Sequence, residues 1–161
     1  MPNLKIYTSG GIQKRKDMGK RWRLILDKFA KRRGLTVEFV HPPDSVSGAT
    51  MEADTQLLYE DEDKWADKHA LTEKEDLDLL NQSEASVFYY DGKTGAGTDK
   101  EFMEAYKQHK LIFFIRMVPK HKIPHWVWWR VNKRKREFPK ELERFVSLVE
   151  FKEYLKDTYK P

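Results

Sequence analysis

The chain has 161 residues, 31 Lys or Arg against 26 Asp or Glu, and no cysteine. That length supports a single domain, residues 1–161, with a sizeable core. The lack of cysteine excludes disulfides, thiolate catalysis and the usual zinc sites and fits a reducing compartment. No apolar run approaches the ~20 residues of a membrane span and no signal-peptide pattern opens the chain, so a soluble, cytoplasmic protein is expected. The net charge of +5 conceals segregation: residues 12–33 balance at +8, residues 52–78 at −8 and residues 119–140 at +7. Such blocks are solvated faces, or face one another within the chain or across a dimer, or in the basic case meet phosphate or nucleic acid.

In chain order, Leu4-Lys5-Ile6-Tyr7-Thr8 alternates and predicts a first strand. Ser9-Gly10-Gly11 ends it in a small-residue turn, which is either an ordinary tight turn or a set of N–H groups open to an anion or sugar hydroxyl. A helix is predicted over 12–33, with Met18, Trp22, Ile25, Leu26 and Phe29 on one face and Gly34 as its stop. Leu35 to Val40 reads as a second strand closed by His41-Pro42-Pro43, and the β-helix-β order predicts a parallel pair with a right-handed crossover. Residues 42–51 read as loop. An acidic helix follows over 53–69, long for a connection and suited to a lid or an interface. A shorter helix over 71–83 is opened by the capping box Thr72-x-x-Glu75, with Asp76 and Asp78 behind it.

Residues 85–90 (ASVFYY) form a buried strand that runs into a turn punctuated by Gly92, Gly95 and Gly97. Thr98 is the expected N-cap of a helix over 99–109. Residues 111–117 (LIFFIRM) make a fourth strand, apolar on both faces as expected of a sheet centre. Farther on, 125–130 reads as short helix or edge strand, Lys133 to Arg136 as loop, Phe145 and Val146 as a short fifth strand, and 150–159 as a closing helix. Strands alternating with helices predict an α/β three-layer sandwich with a central, mostly parallel sheet of about five strands, flavodoxin- or Rossmann-like.

Glu101 admits two readings. In one it completes a capping box, Thr98-x-x-Glu101, by reaching back to the cap residue's N–H. In the other it is a carboxylate held ionised by the helix N-terminal field, aimed into a glycine-lined cleft and able to act as a nucleophile.

Four stretches together resemble the nucleoside 2-deoxyribosyltransferase family, including related hydrolases of deoxynucleoside 5′-monophosphates. They are the opening KIYTSGG, His41-Pro42 at the end of the second strand, Asp76-Leu77 with Leu80 ahead of the central strand, and Asp91-Gly92, Gly97-Thr98 and Glu101. The resemblance covers roughly residues 4–117 and, more faintly, the last helix. It implies that Glu101 attacks the anomeric carbon of a 2′-deoxyribosyl group through an oxocarbenium-like transition state. The glycosyl-enzyme is then resolved by a second base or by water. Asp76 would position the sugar or handle the base's proton. Tyr7, Ser9, Gly10, Gly11, Asp91, Gly95, Gly97 and Thr98 would line the substrate site, and a homodimer or larger assembly is implied. Where many members of the family carry an aspartate or serine, this chain has Gly95, with Lys93 and Thr94 beside it; this favours a 5′-phosphate, held by N–H groups of 9–11 and 95–97 and by Lys93 or Arg15.

Other classes stay open. A nucleotide-binding sensor would use the same cleft without turnover. A nucleic-acid module would use Trp126, Trp128 and Trp129 among their Lys and Arg neighbours, although three clustered tryptophans are also ordinary packing residues. A phosphoribohydrolase resembling the cytokinin-activating enzymes would share the G-x-G-T-x-x-E of this chain, but the two-glycine run expected before that motif is absent here. His41, His69, His109, His121 and His125 show no metal-ligand spacing, and neither metal nor cofactor is expected.

Overall fold

The computed structural model describes residues 3–11, 17, 19–43 and 51–161. Five strands form its sheet: β1 (Leu4–Gly10), β2 (Val37–Val40), β3 (Ala85–Tyr90), β4 (Leu111–Arg116) and β5 (Leu142–Phe145). Every pairing is parallel and the order is β2-β1-β3-β4-β5. Ile6 stands opposite Ala85 and Thr8 opposite Val87, so β1 and β3 share the middle of the sheet. The helices are α1 (Lys20–Arg33), α2 (Met51–Glu60), α3 (Glu62–Gln82), α4 (Ala96–Lys107), α5 (His125–Glu137) and α6 (Leu148–Thr158).

Strand alternation sends neighbouring residues to opposite faces, and both faces are apolar because both are covered. One core joins Ile6, Val87, Phe113 and Ile115 to Trp22 and Leu26 of α1 and to Phe151 and Leu155 of α6. The other joins Tyr7, Phe88, Tyr90 and Phe114 to Leu80 of α3, Phe102 of α4, and Val127 and Val131 of α5. The result is the three-layer α/β sandwich expected from the sequence.

Several boundaries differ from expectation. The first helix opens at Lys20, not Ile12, because Gly19 takes φ 72° and the Asp17 carboxylate accepts the N–H groups of Gly19 and Arg21. Residues 12–16 and 18, and with them Arg15 and Met18, lie outside the described residues, as does most of the expected 42–51 loop. The acidic region divides at Asp61, whose carboxylate caps α3 by accepting the Lys64 N–H at 3.0 Å. Thr72 caps nothing: it lies within α3 and donates to the Lys68 carbonyl at 3.0 Å. Thr98 likewise lies inside α4, whose N-cap is Gly95.

The basic run Lys133 to Arg136 is helical, not loop, because Val127, Val131 and the Arg134 stem continue one buried stripe at i, i+4, i+7. β5 starts at Leu142, with Leu142 and Phe145 turned inward. The charge blocks find partners nearby. Asp54 holds Lys68 at 2.9 Å, Glu73 pairs with Lys100, Arg134 meets Glu141 at 3.2 Å and Lys135 meets Glu143 at 3.1 Å. Among the described residues no helix is long and apolar enough to cross a membrane.

Candidate functional site

In a sheet of this order the chain leaves β1 toward one edge and β3 toward the other, and their carboxyl ends therefore open a crevice. A cleft of about 320 Å³ occupies that position, within the size range of small-molecule sites. Gly10, Gly11 and Lys93 form its floor. One wall is α3, through His69, Thr72, Glu73 and Asp76; the other is the start of α4, from Gly95 to Thr98 with Lys100 and Glu101.

The floor depends on close backbone approach. A Cβ at Gly11 would stand 2.0 Å from the Lys93 carbonyl oxygen, so only glycine lets the two loops touch there. The second loop turns at Gly92, where φ is 85°, and Asp91 holds the turn by accepting the Lys93 N–H at 3.0 Å. Asp91 thus shapes the loop and is absent from the cleft lining. The first backbone bond of α4 runs from Asp99 N–H to Gly95 carbonyl. The N–H groups of Ala96, Gly97 and Thr98 precede it at a helix N-terminus beside the cleft, an arrangement suited to an anion.

Glu101 lies well inside α4, six positions beyond the cap, and the capping-box reading is thereby overturned. The residue keeps some exposure toward the cleft, but its Oε2 is buried. Burial pushes its pKa up to about 8; Asp76 pushes the same way, while the Tyr7 hydroxyl, the Arg23 guanidinium and the Ser9 hydroxyl pull it back. The carboxyl is therefore protonated through neutral pH in the unliganded protein. The expectation of an ionised group fails because desolvation outweighs the helix field. Burial, with the charges of Glu101 and Asp76, also raises Tyr7 well above the ordinary phenol range, so it stays a neutral donor. Tyr7 and Ser9 are close enough to favour the charged glutamate. Among the described residues, however, the Tyr7 hydroxyl, Ser9 Oγ and Glu101 Oε2 make no hydrogen bond of full geometry. They form a buried polar trio, which in a native fold calls for an explanation.

The structure therefore brings Gly10, Gly11, Asp76, Gly95, Gly97, Thr98 and Glu101 into the lining of one crevice; Tyr7 and Ser9, expected to line it, are fully buried behind Glu101 and are absent from the lining, as is Asp91. It adds residues that the sequence reading passed over. Arg23 is 1% exposed beneath the site; its Nε–H donates to Thr8 Oγ1 at 3.0 Å and Nη1 to the Gly19 carbonyl at 3.0 Å. A charge on the buried stripe of an amphipathic helix was the available signal. His69, Thr72, Glu73 and Lys100 also line the cleft; the first three share with Asp76 a stripe at i, i+3, i+4, i+7, visible only once α3 is one helix.

Neither a protein-family model nor a curated protein matches the sequence. Among solved structures the chain is similar to a conserved protein from Enterococcus faecalis V583, with a TM-score of 0.54 and 14% identity over 96% of this chain and 98% of that one. The likeness is one of fold: a parallel five-stranded sheet between two layers of helices.

Proposed function

We propose that the protein cleaves or exchanges the N-glycosidic bond of 2′-deoxynucleosides or their 5′-monophosphates, with Glu101 as nucleophile. The observation that carries this reading is the position of Glu101: released from any capping role and held in the wall of a glycine-floored cleft, near Asp76 and Tyr7. A carboxylate oxygen of Glu101 bonds to C1′ as the C1′–N bond breaks, and the electron pair leaves with the base, which takes a proton from Asp76. Water or a second base then attacks C1′, its proton passes to Asp76, and the Glu101 carboxylate is regenerated. Before attack the Glu101 proton passes to Asp76, which holds it for the base, and Tyr7, Ser9 and Arg23 favour the glutamate so ionised. A homo-oligomer whose neighbouring copy completes the cleft belongs to the same reading.

Gly95 supports a 5′-monophosphate. A Cβ there would meet nothing within 4 Å and the backbone is ordinarily extended, so the missing side chain is not forced by packing. Its absence leaves room and removes a negative charge next to Lys93 and the N-terminus of α4. The test is release of free base from deoxynucleosides and their 5′-monophosphates, with and without an acceptor base, beside Glu101→Ala. Product from the parent and none from the variant supports the reading; no product from any of these substrates overturns it.

A second reading, a nucleic-acid-binding face, rests on α5. Trp128 packs on Phe114 at 6.0 Å, but Trp126 and Trp129 are 38% and 48% exposed, with Arg130 over both rings at 5.7 and 4.3 Å. Affinity for single-stranded oligonucleotides that falls steeply with salt and is lost in Trp129→Ala favours it; no affinity at low salt removes it.

A further inference from the structure

One carboxylate joins α2 to α3. Asp54 of α2 accepts from Trp65 Nε1 at 3.3 Å, Lys68 Nζ at 2.9 Å and His69 Nε2 at 2.9 and 3.1 Å. The Trp65 ring lies 4.5 Å from the His69 ring. Burial works against it, but these three hydrogen bonds hold Asp54 below the usual carboxylate range. Of the three partners His69 alone reaches the cleft. A pure staple between the two helices needs only Lys68 and Trp65, so the third partner invites a different account.

With Nε2–H donated to Asp54, the imidazole is fixed in orientation and tautomer, and Nδ1 becomes the ring's acceptor. Among the described residues Nδ1 has no hydrogen-bond partner. His69 lies two helical turns from Asp76, about 10 Å along the axis of α3. A sugar seated between Asp76 and Glu101 would leave its base this wall to lie against. The six-membered ring of a purine carries its hydrogen-bonding edge farther from the sugar, and so closer to His69, than a pyrimidine does.

We propose that His69, oriented by Asp54, reads the base of the substrate: Nδ1 accepts a hydrogen bond from the exocyclic amino group of a 6-aminopurine whose deoxyribose lies between Asp76 and Glu101. This rests on the reading of the cleft as a deoxynucleotide site. It makes Asp54 a positioning residue and His69 a specificity residue.

Binding separates the two claims, because it needs no turnover. Glu101→Gln protein is titrated calorimetrically with the 5′-monophosphates of 2′-deoxyadenosine, 2′-deoxyinosine and thymidine, then again with His69→Ala or His69→Gln added. The expected result is tightest binding of the adenine nucleotide and an about tenfold loss of that affinity alone in His69→Ala. In His69→Gln, whose side-chain carbonyl restores an acceptor, much of it returns. Equal losses for all three nucleotides, or no loss for any, overturn the proposal while leaving the cleft reading intact. Failure of the parent to bind any of the three overturns both. Should His69→Ala fold poorly, the rescue in His69→Gln and the parent's preference for 6-amino over 6-oxo purine decide.

Discussion

Glu101 gives up hydration on folding, and this carries a pH signature of unusual sign. Its folded pKa of about 8 lies above the ~4.3 of an unfolded glutamate. Between those values the folded state holds the proton and the unfolded state does not, so the stability contributed by this group falls as pH rises from about 4 to about 8. Glu101→Gln, which mimics the protonated form, is expected to leave Tm nearly unchanged at pH 4.5 and raise it by several degrees at pH 8, given ~2–4 °C per kcal/mol in a chain of this size. Thermal unfolding at the two pH values checks this; an equal shift at both would contradict the burial argument. The same proton governs rate under the proposed chemistry, which needs one proton on the Glu101–Asp76 pair: kcat/KM for base release should hold below about pH 8 and fall about tenfold per unit above it. A flat profile from pH 6 to 10 would remove this shared proton from the mechanism. The sequence marked Glu101 as the candidate because of its place after a strand, a glycine turn and a helix start. Its charge state was not legible there, since burial in the folded chain sets it, together with the opposing influences of Tyr7, Asp76 and Arg23, residues distant along the chain.

Helix boundaries show where local motifs yield to tertiary geometry. Thr72-x-x-Glu75 and Thr98-x-x-Glu101 both satisfy the capping pattern, and neither caps a helix. The true starts lie where the chain changes direction, at Asp61 and at Gly95. Asp61→Ala is therefore expected to cost about 1 kcal/mol, whereas Thr72→Ala should be neutral or slightly stabilising, because no cap is lost and alanine is the better helix former. Urea midpoints rank the two, and the reverse order would restore a helix start at Thr72. Gly95→Asp joins stability to recognition. Aspartate is a favoured cap and meets open space there, so the fold should hold or gain slightly. Calorimetric affinity for 5′-monophosphates should nevertheless drop at least tenfold relative to the nucleosides, from the added negative charge; an unchanged ratio would take the phosphate away from α4.

At the level of the whole molecule, the alternation of strands and helices was readable because each strand is apolar and each connection long enough for a crossover. The second half of α5 was not readable, because its basic run masks the Val127–Val131–Arg134 stripe. Nor was the start of β5, which follows a short 3₁₀ turn at Pro139–Glu141. The sheet separates two cores, and this separation makes a prediction. Phe113 packs against Phe145, Phe151 and Tyr154 at ring distances of 6.4, 5.3 and 5.8 Å, on the face opposite Tyr7 and Phe102. Phe113→Ala should cost ~3–5 kcal/mol in urea unfolding while nucleotide affinity, measured well below Tm, stays within twofold of the parent. A comparable loss of affinity would mean that the two layers are coupled.

The β1–β3 pairing also has a temporal side. The Lys5 N–H reaches the Glu84 carboxylate at 2.7 Å across 79 positions of chain, and the floor and both walls of the cleft adjoin this long-range seam. The intervening helices can form early from local contacts, but the seam must wait for a large loop to close. A refolding intermediate rich in helix thus has nowhere to seat a ligand. Regain of ligand binding times the closing of the sheet, and should trail the return of the helical circular-dichroism signal.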